Sequence, residues 1–244
     1  MKHPLVSLVI PHKNDWKRLY SCLEGIRQYS GCSHEIILVD NGSPRIPASI
    51  LRQPHLTVIH NQWDRGTAAS LNQGMEKAQG EYIGWLCANA LPSHRWLGQL
   101  LHVLRQDDSI GMVGPVTNRG YANQKLGVPF KTISKIHRFS NQFNHIDAER
   151  WKETEVLSRF CVLFHRKLLH EIGWLDERYG LGSHEHVDYC TRLRNAGYRL
   201  MVAGDTYVHQ LGKKAVKKEE IRDMIRIRKQ NHRYYLRKWF YLHN

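Results

Sequence analysis

The chain has 244 residues, room for one domain with a full hydrophobic core or two small ones at a stretch. Leu, Ile, Val and Phe make up about a quarter of it, above the roughly one-fifth level below which chains tend to stay disordered. Lys and Arg outnumber Asp and Glu by 36 to 22, a formal charge of +14, so the surface attracts phosphates on nucleotides, nucleic acids or anionic lipids without choosing among them.

The first apolar run, Leu5 to Ile10, is closed by Pro11 and then by charged residues. It reads as a buried strand rather than a signal peptide, and no run approaches the roughly 18 residues needed to span a bilayer. Five cysteines (Cys22, Cys32, Cys87, Cys161, Cys190) without a CxxC pair fit free thiols and a cytoplasmic location.

Strand-like and helix-like segments alternate from there. Val6 to Ile10 predicts a strand, and Trp16 to Tyr29 a helix with Leu19, Cys22, Leu23 and Ile26 on one face. Strands follow at Glu35 to Val39, Leu56 to His60 and Tyr82 to Cys87, with a helix at Thr67 to Gln79 stopped by Gly80. Ser93 to Arg105 predicts a helix and Gly111 to Val116 a strand. Residues 117–158 are polar, with scattered aromatics, and read as a loop-rich insertion or lid. Arg159 to Phe164 resumes strand character, Lys167 to Ile172 and Val187 to Ala196 read as helices, and Tyr198 to Val202 as a strand. This order predicts an α/β fold over residues 1–212: a single domain with a mostly parallel central sheet flanked by helices.

In such sheets ligands sit beyond the carboxyl ends of the strands. Three strands end in special-turn residues: His12-Lys13-Asn14-Asp15, Asp40-Asn41-Gly42-Ser43 and Cys87-Ala88-Asn89. Turn chemistry accounts for each alone; together they predict a nucleotide pocket. A GxxxxGK[ST] loop, a GxGxxG after the first strand and a GxSxG elbow are all missing, which argues against P-loop enzymes, dinucleotide-dependent dehydrogenases and common serine hydrolases. His184, Glu185, His186 and Asp188 crowd four ionisable groups just before a helix, where carboxylates serve as caps or as a base with its orienting acid. His209 follows at a strand end.

Taken in order, VSLVIPHKND, EIILVDNGS, NQWDRGTAASLNQGMEKAQGEYIGWL, RFCVLFHRKLLHEIGWLDERYG with HEHVDYCTRLRNAGYRL, and VHQLG resemble the motifs of an inverting family-2 glycosyltransferase of the GT-A fold, over roughly Val6 to Gly212. The resemblance implies a nucleotide-sugar donor and a glycan, lipid-linked or protein acceptor. It assigns Pro11, His12, Asn14, Asp15, Asp40, Gly66, Asn72 and Asn89 to the donor, with Asp40 reading the base. His186 stands where the family's base stands, with Glu185 orienting it and with His184 and Asp188 beside the acceptor. Diphosphate contacts fall to His209, Lys213 and Lys214.

This sequence departs from the family at two places. Leu86-Cys87-Ala88-Asn89-Ala90 replaces the acidic D-x-D or N-x-D that holds a divalent cation, so a weakly bound Mn or Mg would have at most Asn89 and His209 as ligands. The base slot holds a histidine, a residue type that titrates near neutrality. A catalytically inactive nucleotide- or partner-binding protein of the same fold is therefore the alternative, and a basic nucleic-acid-binding protein the second. Nucleic acid is not expected as a partner, because no RNP-like motif or recognition-helix signature is present.

Residues 213–244 form a basic amphipathic tail with Ile221, Met224, Ile225, Tyr235, Leu236 and Trp239 near helical spacing. It reads as a docked terminal helix with a solvated basic side. The sharper alternative is peripheral contact with the inner face of the membrane, Trp239, Phe240 and Tyr241 entering the interface.

Overall fold

In the computed structural model, residues 5–130, 132–212 and 218–241 are described. The first strand, β1 (Val6–His12), is apolar on both faces because both are covered. Val6, Leu8 and Ile10 join a core cluster with Leu19, Cys22 and Ile26 of helix α1 (Trp16–Tyr29). Val9 points the other way, into a second cluster with Leu71 and Met75. Strand β2 (His34–Asn41) repeats the alternation, with Ile36 and Leu38 on one side and Ile37 and Val39 on the other.

A short helix α2 (Ala48–Leu51), strand β3 (Leu56–Asn61), helix α3 (Thr67–Lys77), strands β4 (Tyr82–Leu86) and β5 (Ala90–Leu91), helix α4 (Trp96–Leu104) and strand β6 (Ile110–Val116) follow. Helix α3 lies against the sheet at Gly74, where a Cβ would come within 2.2 Å of Val9 Cγ1. The chain continues through α5 (Ile133–Phe143), β7 (Trp151–Thr154), β8 (Cys161–His165), α6 (Leu168–Glu171), α7 (Glu185–Asn195), β9 (Arg199–Tyr207), β10 (His209–Gln210) and α8 (Lys218–Leu236).

Eight strands form one sheet in the order β3-β2-β1-β4-β8-β6-β9-β7. The ladders are parallel from β3 to β4 and between β6 and β9, and antiparallel where β8 meets β4 and β6 and where β7 meets β9. The sheet is therefore mixed, with its parallel half carrying the first strand tips. No disulfide joins any of the five cysteines.

The segment read as a loop-rich insertion holds more order than that reading allows. Helix α5 buries Ile136 and Ser140, and β7 covers the outer edge of β9. Phe139 packs edge-on against Tyr207, 5.2 Å between centroids. The α5 residues that pack, Ile136, Phe139 and Phe143, recur at helical spacing, whereas the pairing of β7 with β9 is tertiary and has no local sign. Strand β9 likewise runs five residues past Val202, with Ala203 paired to both β6 and β7 and Tyr207 paired to β6.

The tail docks through its second half. The fully buried Asp188 carboxylate accepts from Lys238 Nζ at 2.7 Å, Trp239 Nε1 at 2.9 Å and Arg192 Nε at 3.1 Å. Asp176 takes the Tyr234 hydroxyl, Lys238 and Arg178, and those cations hold its carboxyl far below the usual range although burial alone would raise it. Trp239 thus points its indole N–H into the protein rather than outward. Among the described residues no helix is long and apolar enough to cross a membrane.

Candidate functional site

Beyond the carboxyl ends of β1 and β4 lies a cavity of about 440 Å³, lined by Pro11, His12, Lys13, Asp15, Asn89 and Arg159 among others. The loop after β1 is fixed by its neighbour after β2. Asn14 adopts a left-handed φ of 56° and its N–H donates to Ser43 Oγ at 2.9 Å. The Ser43 hydroxyl in turn donates to Asp40. His12 Nε2 accepts the Asp15 N–H at 3.3 Å, which puts the neutral ring's proton on Nδ1. Burial pushes the His12 pKa down to about 4 against the opposing pull of Asp40 and Asp15. The cavity therefore presents an uncharged imidazole tilted against Trp16, 4.3 Å between ring centroids.

Of the residues assigned to the donor, Asn14, Asp40, Gly66 and Asn72 do not line this cavity. Asp40 pairs in register with His12 but is fully buried and does not line the cavity. Its oxygens hold the Ser43 N–H, the Ser43 hydroxyl and, at 2.8 Å, His60 Nδ1. Gly66 has φ 85°, and a Cβ there would come within 2.1 Å of the Gly180 carbonyl oxygen. Asn72 clamps Leu175 through both N–H and C=O at 3.0 Å and reaches Glu177 at 2.9 Å. Gly66 and Asn72 thus seat the loop that leads to His184.

At the tip of β4, Asn89 Nδ2 donates to the Leu211 carbonyl, and the Leu211 N–H returns to Asn89 O, each at 2.8 Å. The β5–β10 ladder brings His209 to the same place. His209 Nδ1 lies 2.7 Å from the Tyr207 hydroxyl and Nε2 3.5 Å from Asn118 Nδ2, and burial, aided by Arg119, pushes its pKa down to about 4. Both ring nitrogens face protein partners, and the Asn89 amide carries no charge. Among the described residues no three His, Cys, Asp or Glu gather closely enough to hold a metal. This donor set does not fit a divalent cation as a carboxylate set would. Lys213 and Lys214 lie outside the described residues.

A second cavity, about 480 Å³, opens beside the start of α7 and is lined by Tyr121, Arg159, His184, His186, Ile225 and Arg228 among others. His184 precedes the helix at φ 93°, its ring 5.3 Å from that of His232, and burial lowers its pKa. His186 Nε2 is 2.9 Å from the Tyr121 hydroxyl. Its Nδ1 is buried without a partner, 3.9 Å from Glu185 Oε1, too far for a formed hydrogen bond. Glu185 is 1% exposed, and its second oxygen, Oε2, is also unpaired. Burial alone would raise the Glu185 carboxyl, but His186 and the Arg159 guanidinium outweigh it and hold it at about 2. Asp188 faces away from this cavity, into the tail anchor described above.

Arg159 lines both cavities. Its Nη1 lies 2.6 Å from Glu185 Oε1 and 3.2 Å from Thr67 Oγ1, so it forms the wall between them. In the sequence Arg159 opens both the segment that reads as a strand and the RFCVLF motif, and neither assigns it a role. Tyr121, in the polar stretch, and Thr67, read as a helix start, carry no signal of their own.

A family model described as Glycosyl transferase family 2 matches residues 7–173. Glycosyltransferase AglE of Haloferax volcanii is 22% identical over 209 residues, 83% of this chain and 65% of that protein. The pre-mycofactocin glycosyltransferase of Mycobacterium tuberculosis is 25% identical over 213 residues, 81% of this chain and 41% of that protein. Among solved structures, mannosyltransferase PcManGT from Pyrobaculum calidifontis, in complex with GDP-Man and Mn2+, matches with a TM-score of 0.64 at 22% identity. That match covers 89% of this chain and 58% of PcManGT. TarS of S. aureus matches at 0.61 and 17%, over 84% of this chain and 60% of that one. The fold is that of the GT-A glycosyltransferases. The chain spans at most 65% of the length of these relatives.

Proposed function

The chain belongs to glycosyl transferase family 2, and from that premise we propose that it moves a sugar from a nucleoside-diphosphate donor to an acceptor hydroxyl with inversion at the anomeric carbon. One observation carries this reading: Arg159 stands between the His12–Asn89 cavity and the His186 cavity, so a donor in the first and an acceptor in the second would meet at one guanidinium.

The donor's nucleoside diphosphate would enter over the His12 loop, with Lys13 and Arg159 facing its phosphates. Both cations now have partners, Asp64 at 3.0 Å and Glu185 at 2.6 Å, which hold them in place. Fixed positive charge offsets the charge that develops on the departing diphosphate. In the second cavity, the lone pair of His186 Nε2 takes the acceptor's proton once Tyr121 yields it. The Nδ1–H faces Glu185, which steadies the imidazolium. The acceptor oxygen bonds to the anomeric carbon from the face opposite the breaking bond to the diphosphate, and the proton ends on His186.

Thermal shift against uridine, guanosine and thymidine diphosphates, followed by turnover with the matching donor, tests the reading. Native-state binding raises apparent stability by mass action, so one nucleotide should stand out. His186→Ala should keep that shift and lose turnover. The second reading, a nucleotide-binding protein without turnover, is favoured by the uncharged, tethered Asn89. It predicts the same shift with no turnover by the unaltered protein.

A further inference from the structure

Helix α8 is amphipathic, and part of its apolar surface does not face the domain. It is held to the domain by Asn231, which donates to the Tyr179 and Ser183 carbonyls at 2.7 and 2.9 Å, by Tyr234 on Asp176 and, just past its end, by Lys238 and Trp239, which reach Asp188. Ile221, Met224 and Ile225, at i, i+3 and i+4, remain 42%, 55% and 52% exposed. Leu181, 60% exposed, stands with them, and all four rim the cavity that contains His186. An apolar rim of this kind on an otherwise polar surface marks an interaction site.

Charge says what kind. Helix α8 carries six Lys and Arg against three acids, Glu219, Glu220 and Asp223, the last paired by Arg226 at 3.0 Å. Arg222, Arg226, Lys229 and Arg233 line a shallow groove beside Ile225. Apolar side chains flanked by exposed cations suit an anionic lipid surface, where the first enter the acyl boundary and the second meet headgroups. Duplex phosphates would engage the cations and leave the apolar rim wet.

We infer that the amino-terminal half of α8, with Leu181, docks on an anionic lipid surface, so that the His186 cavity opens toward the bilayer. The contact is made by Ile221, Met224 and Ile225 rather than by Trp239, whose indole is held inside. This goes beyond the transfer reading and does not depend on it.

Flotation of the full chain with phosphatidylcholine vesicles, with and without roughly 30 mol% phosphatidylglycerol, tests the inference. Binding to the anionic vesicles should be at least about tenfold tighter than to the neutral ones and should weaken in about 0.5 M salt. Ile221→Ser/Met224→Ser/Ile225→Ser should lose about tenfold or more while keeping its circular dichroism. Equal or absent binding to the two vesicle types overturns the inference. So does a triple variant that floats like the unaltered protein, or duplex DNA that binds more tightly than the vesicles and is indifferent to the triple change. A nucleotide diphosphate thermal shift run in parallel reports separately on the transfer reading, which stands or falls without the vesicles.

Discussion

Replacing Arg159 with Met should destabilise the protein and change how it responds to acid. The substitution keeps the aliphatic stem and removes the guanidinium 2.6 Å from Glu185. Glu185 is then left 1% exposed with no cation. Breaking a fully buried pair by removing one partner costs about 3–5 kcal/mol. The Arg159 side chain is 35% exposed, so water screens part of that loss, and about 2–3 kcal/mol is the expected cost at neutral pH. For a chain of this size that lowers Tm by about 5–10 °C.

The pH dependence follows from the Glu185 carboxyl, held at about 2 when folded against 4.5 as the ordinary value. A depressed folded pKa means the stabilisation is complete above 4.5 and is lost as pH falls toward 2. The difference between Arg159→Met and the unaltered protein should therefore shrink through that window. Glu185→Gln added to Arg159→Met should recover part of the loss, because no buried charge is then left alone. Urea unfolding of the unaltered protein, Arg159→Met, Glu185→Gln and the double variant across this pH range measures the cycle. A single variant within about 0.5 kcal/mol of the unaltered protein at neutral pH, or a gap that stays constant down to the acid limit, refutes the reasoning.

Asn89→Asp places a carboxylate at the β4 tip, so calorimetric Mn2+ affinity should rise at least about tenfold despite the lost bond to the Leu211 carbonyl; unchanged affinity counts against the assignment of this tip. Asp188→Asn leaves Lys238 and Arg192 without their shared anion and should cost about 3 kcal/mol, with faster hydrogen exchange across 231–241 than elsewhere. Uniform exchange would show that the tail is held by other contacts. His12 is held near 4 against an ordinary 6.5, so its contribution is present above 6.5 and lost as pH falls to 4. His12→Gln should flatten that part of the stability profile, read by urea midpoint, and an unchanged slope would assign it to other groups.

Much of the fold can be read along the chain because its determinants are local. The continuous apolar runs of β1 and β2, and the 19-22-23-26 stripe of α1, are patterns visible among neighbouring residues alone. The turn residues after β1, β2 and β4 mark one edge of the sheet for the same reason, and two of those turns, with His12 and Asn89, line a cavity there. Strand β7 escaped such a reading because its partner β9 lies more than forty residues away, whereas α5 does carry a helical stripe, Ile133, Ile136, Phe139 and Phe143, set among polar residues.

The division of labour among the polar residues was decided only in three dimensions. A motif places Asp40, Asn72 and Asp188 beside site residues, yet hydrogen-bond geometry commits the first to a turn, the second to a loop clamp and the third to the tail. Arg159 shows the converse: it opens a motif that gives it no role of its own, yet it becomes the wall of two cavities because the chain entering β8 beside β4 delivers its guanidinium to Glu185. Local sequence determines which segments become strands and helices and where turns fall. A charged side chain acquires its role from partners that only long-range pairing brings within hydrogen-bond reach.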